Sequence, residues 1–162
     1  MLAAEGADLA ETPADAVREA AFVITMLTDT AAVLAVMGQA AESAPDGAVW
    51  LQTSMDTDVE CVARLAQDHG ITFVNSPVIG TQETAKHGRL VVLASGPGDA
   101  LDRAQPIFDA IGSKTVRLEP EAGGASRLKL VATAWTVGIV ESLRAQLSRA
   151  ARWARSRTSA GR

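Results

Sequence analysis

Residues 71–96 read ITFVNSPVIGTQETAKHGRLVVLASG: an apolar run that ends in Asn-Ser-Pro, a polar stretch, and a second apolar run that ends in Ser-Gly. Ile71–Val74 and Leu90–Ala94 are short, rich in β-branched residues and bounded by turn formers, the pattern of strands buried on both faces. The segment between them is polar and holds Gly80, Thr81, Lys86, His87 and Gly88. Two rigid strands fixing the ends of a polar loop make a good ligand platform, because the backbone between them is free to make contacts. An ordinary connection would have the same residue types, so both readings stand at this point.

Outward from this stretch, apolar strand patterns alternate with helical ones. Thr12-Pro13-Ala14-Asp15 is a helix start, with Thr12 as cap and Pro13 at the first helical position, and that helix is expected to reach Ala20. The opening MLAAEGADL reads as a helix end stopped by Gly6. Phe22–Leu27 is a strand by composition, after which Thr28-Asp29 caps a helix through Met37 that Gly38 can end. Ala48–Leu51 is the next strand. Asp56–His69 is helical, with Val59, Val62, Leu65 and Ala66 on one face and Gly70 closing it. Downstream, Asp99–Ile111 is a helix that Pro106 should kink or restart, and Thr115–Leu118 is a last short strand. From Gly124 the chain is one long helical pattern through Leu128, Val131, Trp135, Gly138 and Ile139. This alternation predicts βαβ units, a mostly parallel sheet and an α/β, doubly wound class with a long terminal helix.

Composition narrows the function. The chain has 162 residues, 48% of them hydrophobic, and a net charge of −4, so one core is expected and no global case exists for nucleic acid or anionic membrane. No apolar run reaches membrane-span length and no basic-then-apolar leader opens the chain, which points to the cytoplasm. The single cysteine, Cys61, rules out an internal disulfide and a Cys-rich zinc site, and its helical position predicts a packing role. His69 and His87 lack ligand-spaced carboxylates or cysteines, so no metal site is expected and both read as solvated. No Gly-x-Gly-x-x-Gly, Gly-x-x-x-x-Gly-Lys-Ser/Thr or Gly-x-Ser-x-Gly occurs; Gly123-Gly124 between strand and helix is a bare pair, weak as a phosphate seat. Lys129, flanked by Leu128 and Leu130, is the ionisable residue of most interest. Desolvation beside a ligand loop would lower its pKa and suit it to proton transfer, whereas a snorkelling surface lysine is the plain alternative.

At these residues the sequence resembles the β-hydroxyacid dehydrogenase family, with its 3-hydroxyisobutyrate dehydrogenase, 6-phosphogluconate dehydrogenase and imine-reductase branches. Ile24-Thr25-Met26-Leu27-Thr28-Asp29 is similar to the family's V-I-T-M-L-P-D, and Val49–Ser54 to its next strand. Asn75-Ser76-Pro77-Val78-Ile79-Gly80, then Gly88-Arg89-Leu90, is similar to D-A-P-V-S-G…G-x-L. Gly123–Thr133 is similar to G-x-G-x-x-x-K-L-x-x-N. The resemblance covers roughly Leu2–Leu143.

The resemblance implies an NAD(P)-dependent oxidoreductase moving a hydride between NAD or NADP and a small 3-hydroxy acid, semialdehyde or imine. It places Lys129 on the catalytic lysine, Val78, Ile79, Gly80, Thr81 and Thr133 at the substrate, and Met26, Leu27, Thr28, Ser54 and Met55 at the cofactor. A homodimer is the family's habit. Family members open with a strand, a Gly-rich turn, a helix and a second strand, and these 162 residues hold none of them. The expectation is therefore a Rossmann-like sheet lacking its first two strands, truncated at both ends and impaired as a catalyst. Ile79 stands where the family has serine, Met55 where it has threonine and Thr133 where it has asparagine. Residues 1–122 are read as the partial dinucleotide-binding domain, 123–147 as the start of an inter-domain helix and 148–162 as a basic, disordered tail. The alternative is a non-catalytic remnant serving as a structural or interaction module; a nucleic-acid-binding arginine arm is a third, weaker reading.

Overall fold

The structure is a computed structural model that describes residues 2–55 and 58–159. The chain divides into two compact units, Met1–Lys129 and Leu130–Arg162. The first is α/β. After a 3-10 turn at Leu2–Glu5, it runs α1 (Pro13–Val17), β1 (Phe22–Thr25), α2 (Thr30–Ala40), β2 (Val49–Gln52), α3 (Val59–Asp68), β3 (Thr72–Asn75), β4 (Val78–Ile79), α4 (Gln82–Lys86), β5 (Leu90–Ala94), α5 (Gly98–Ile111) and β6 (Gly112–Arg117). The last helix, α6 (Gly124–Ser159), begins in this unit and supplies the described part of the second.

Strands β1, β2 and β3 form a parallel sheet in that order, with Phe22 opposite Val49 and Val49 opposite Thr72. The central strand, VWLQ, is buried along its whole length, as a strand covered on both faces must be. One face, led by Val23 and Trp50, packs on Val17 of α1, Val33 and Met37 of α2, and Val62 and Ala66 of α3. The opposite face, with Val49, Leu51 and Val74, packs on Leu101, Ala104 and Phe108 of α5. Helices on both faces make the sheet doubly wound. The indole of Trp50 meets Phe73 edge-on at 5.6 Å, and both guanidinium nitrogens of Arg103 on α5 donate to the Gly47 carbonyl at 3.1 Å. At the free edge of the sheet, Ile24 of β1 is 53% exposed.

The segment read as a polar loop is more structured than its composition suggests. It contains β4, which pairs antiparallel with β5, and the short helix α4; β5 in turn pairs parallel with β6. The reversal follows from length, since a right-handed parallel crossover takes a dozen or more residues and the connection from β4 to β5 is shorter. This second sheet joins the first through a bridge between Asn75 and Ser95, whose backbones exchange two hydrogen bonds of 2.9 Å.

Other boundaries differ from expectation for local reasons. Gly38 does not end α2, which continues to Ala40 and passes into a 3-10 turn at Ala41–Ser43, because Gly38 does not take the positive φ of a helix-stopping glycine. Asp56 lies outside the described residues; α3 begins at Val59, capped by Asp58, whose carboxylate accepts the Cys61 N–H at 3.0 Å. Pro106 does not restart α5. The backbone carbonyl it leaves unpaired belongs to Asp102, an exposed residue where water can serve. Cys61 is exposed and not packed, since it falls on the outer face of α3. The described part of the expected tail is helical as far as Ser159, in keeping with the high helix propensity of its alanines and arginines. No helix among the described residues is long and apolar enough to cross a membrane.

Candidate functional site

In open α/β sheets ligands sit outside the carboxyl ends of the strands, and here those ends carry a continuous row of buried polar side chains. Thr25, Gln52 and Asn75 are register partners across β1, β2 and β3, so they point to the same face. Ser95, at the end of β5, extends the row through its bridge to Asn75. All four are at most 5% exposed.

Hydrogen bonds fix this row. The Trp50 indole N–H donates to Thr25 Oγ1 at 2.8 Å, and that hydroxyl donates to Gln52 Oε1 at 3.0 Å. Gln52 Oε1 also accepts the Ser54 N–H at 2.9 Å, while Ser54 Oγ accepts the Leu27 N–H at 2.8 Å. The loops after β1 and β2, expected at the cofactor, are thereby tied together: Leu27 is half-buried and Ser54 buried, whereas Thr28 is exposed beside Asp29. On either side of this tie, Met26 is 59% and Met55 43% exposed. Exposed apolar side chains with polar groups behind them are the make-up of a small-molecule site. No pyrophosphate seat accompanies it among the described residues.

Gly123-Gly124 does not supply one. At the start of α6 the Ala125 N–H donates to Ser95 Oγ at 3.2 Å and the Ser126 N–H to Asn75 Oδ1 at 2.9 Å. The Arg127 N–H is taken by the Gly123 carbonyl at 2.9 Å. Protein groups thus occupy amides that a phosphate would need. The same bonds hold the first turn of α6 on the ends of β3 and β5.

Lys129 follows on that helix, on the side of Ser126 by three-residue spacing. It is half-buried, and desolvation pushes its amine below the usual lysine pKa. Arg127, its neighbour in sequence, pairs instead with Glu121 at 3.1 Å.

In the loop expected at the substrate, Val78 is buried and paired with Val92, and Ile79 is half-exposed opposite Val91. Gly80 has φ +151°, and a Cβ there would collide with Thr84 Oγ1 and, at 2.6 Å, with Leu90 Cδ2. Thr81 caps α4: its N–H donates to Thr84 Oγ1 at 2.6 Å and its Oγ1 accepts the Thr84 N–H at 3.4 Å. Its polar groups are thus engaged locally, and those of Ile79 face Val91 in a hydrogen-bonded pair of the β4–β5 ladder, which leaves the Gly80 backbone as the polar surface this loop offers. Thr133 lies in the second unit and is exposed. The structure therefore brings Leu27 to Ser54, and joins the strand leading into the loop Val78–Thr81 to the helix of Lys129 through Asn75. Sequence reading passed over Gln52, Asn75 and Ser95. Polar residues ending apolar strands, as in Val-Trp-Leu-Gln and Thr-Phe-Val-Asn, were the available signal.

Among the described residues no cluster of His, Cys, Asp or Glu could hold a metal. Comparison with known proteins then places the chain. Residues 1–119 match the model of the NAD binding domain of 6-phosphogluconate dehydrogenase. The chain is 29% identical over 136 residues to glyoxylate/succinic semialdehyde reductase 1 of Arabidopsis thaliana, covering 80% of this chain and 46% of that protein. With the NAD-dependent L-serine dehydrogenase of Pseudomonas aeruginosa it shares 31% over 129 residues, covering 76% and 43%. The structure of 3-hydroxyisobutyrate dehydrogenase from Mycobacterium tuberculosis with L-serine superposes with a TM-score of 0.76 at 25% identity, over 87% of this chain and 52% of that one. The chain spans about half the length of these relatives. With a doubly wound sheet, a polar row at its carboxyl ends and a family model matched over most of its length, the chain belongs to the β-hydroxyacid dehydrogenase family, through the NAD binding domain of 6-phosphogluconate dehydrogenase.

Proposed function

We propose that this chain carries the nicotinamide and substrate-loop side of an NAD(P)-dependent oxidoreductase that interconverts a small 3-hydroxy acid and its semialdehyde, or reduces the matching imine. The observation that carries this reading is the seating of the Lys129 helix on Ser95 and on Asn75, which stands three residues before the loop Val78–Thr81 in the chain. When bound, the nicotinamide accepts or delivers the hydride.

The chain's own residues have three tasks. Lys129 Nζ takes the hydroxyl proton as the alcohol is oxidised and returns it on reduction; its lowered pKa brings a neutral amine within easier reach. The backbone at Gly80 receives the substrate carboxylate, with Val78 and Ile79 fixing the loop through their pairing with β5 and Thr81 through the helix cap. Met26, Leu27, Thr28 and Met55 line the cofactor, held by Ser54.

The test is titration of the purified chain with NADPH and NADH, followed by fluorescence, together with turnover of serine, 3-hydroxyisobutyrate and succinic semialdehyde. Saturable binding at micromolar levels, with turnover abolished in Lys129→Ala and binding retained, is the expected result. Failure to bind either nucleotide would remove catalysis from this chain and favour a structural or interaction role.

A further inference from the structure

Among the described residues three buried polar atoms lack a protein partner: Gln52 Nε2, Asn75 Nδ2 and Ser76 Oγ. Two of them belong to the carboxamides of register partners at the ends of β2 and β3. Their orientation is fixed, because the carbonyl side of each accepts a backbone N–H, that of Ser54 in one case and of Ser126 in the other. Neither amide can flip without placing donor against donor. At each position it is the carbonyl side of the carboxamide that the fold uses.

Asn75 Oδ1 accepts the Ser126 N–H, its backbone is locked to Ser95, and Ser95 Oγ accepts the Ala125 N–H. Two successive amides of α6 are therefore held by the ends of two strands, one turn before Lys129. Pro77, on the far side of Asn75, is fully buried and leads into the loop Val78–Thr81.

We propose that Asn75 is a positioning residue for Lys129: its carboxamide seats the first turn of α6 on β3, and thereby fixes the lysine relative to the substrate loop. The proposal rests on the reading of Lys129 as the proton-transfer group. Its structural content can nonetheless be tested without nucleotide or turnover. Asn75→Leu keeps the volume and removes the acceptor. Asn75→Asp keeps the acceptor and turns the unpaired Nδ2 into an oxygen within one register position of Gln52 Nε2.

The chain has three lysines, Lys86, Lys114 and Lys129, and the first two are exposed. Lysine-selective 13C labelling of the full chain gives three ε-methylene resonances, two of them internal references. In Asn75→Leu the Lys129 resonance should move toward the two references while these stay in place, and the Ser126 amide should exchange roughly tenfold faster. In Asn75→Asp most of the Lys129 displacement should be absent. Should Asn75→Leu fail to fold, Ser95→Ala removes only the Ala125 acceptor and should produce a smaller displacement in the same direction. An unmoved Lys129 resonance in a folded Asn75→Leu or Ser95→Ala chain would overturn the proposal. Equal displacement of all three lysines, or an Asn75→Asp displacement as large as that of Asn75→Leu, would do the same. Loss of nucleotide binding with these resonances behaving as expected would refute the enzymatic reading alone.

Discussion

Replacing Trp50 by phenylalanine should weaken the fold and slacken the polar row at once. Trp50 has no solvent exposure and is among the largest fully buried side chains. Its indole N–H donates to Thr25 Oγ1, which holds Gln52 Oε1, which holds the Ser54 N–H. Phenylalanine would leave a void where the second ring stood and deprive the buried Thr25 hydroxyl of its donor. The void is worth roughly 1–2 kcal/mol, from about 25 cal/mol for each Å² of apolar area withdrawn. The lost buried hydrogen bond adds about 1 kcal/mol, for a total of about 2–3 kcal/mol. For a chain of this size that corresponds to a fall in Tm of roughly 5–12 °C. Urea unfolding followed by far-UV circular dichroism measures it, in a double-mutant cycle with Thr25→Val that should give a coupling of at least about 0.5 kcal/mol. A total loss below about 1 kcal/mol, or strict additivity with Thr25→Val, would refute this account of the row.

Two further substitutions probe the loop and the lysine. Gly80→Ala forces a Cβ into Thr84 and Leu90 at a φ that L-residues avoid, and should cost more than about 1 kcal/mol, with faster amide exchange across α4; unchanged stability would show that the loop relaxes freely. Lys129→Met removes an amine whose pKa burial lowers. Between that lowered value and the ordinary lysine value of about 10.4, the unfolded chain binds the proton that the folded chain has released, so wild-type stability rises with pH across this window. Lys129→Met should therefore be more stable than wild type at pH 7, and the difference should shrink as pH approaches 10. A constant difference in urea midpoints from pH 7 to 10 would contradict the burial of the amine.

Much of the fold was legible because its determinants are local. Thr12 and Asp29 cap the helices they precede, accepting the Asp15 and Ala32 amides at 3.1 and 2.8 Å. Strand β5 has the bounds its β-branched run predicts. Less legible were β4 and α4. A strand of two residues has no periodicity to detect, and the Thr81–Thr84 capping box is hidden in a stretch that reads as polar loop.

The sequence by itself determined the alternation of strands and helices, the family motifs in their order, and the candidacy of Lys129, because each depends on neighbours in the chain. Tertiary structure alone decided what surrounds that lysine. The bonds from Asn75 to Ser126 and from Ser95 to Ala125 span 51 and 30 residues, and Thr25 reaches Gln52 across 27. No local pattern encodes such pairs. They exist because parallel strands in register bring their carboxyl ends to one edge, where the oxygens of buried carboxamides and hydroxyls accept from one another's loops and from the helix above them.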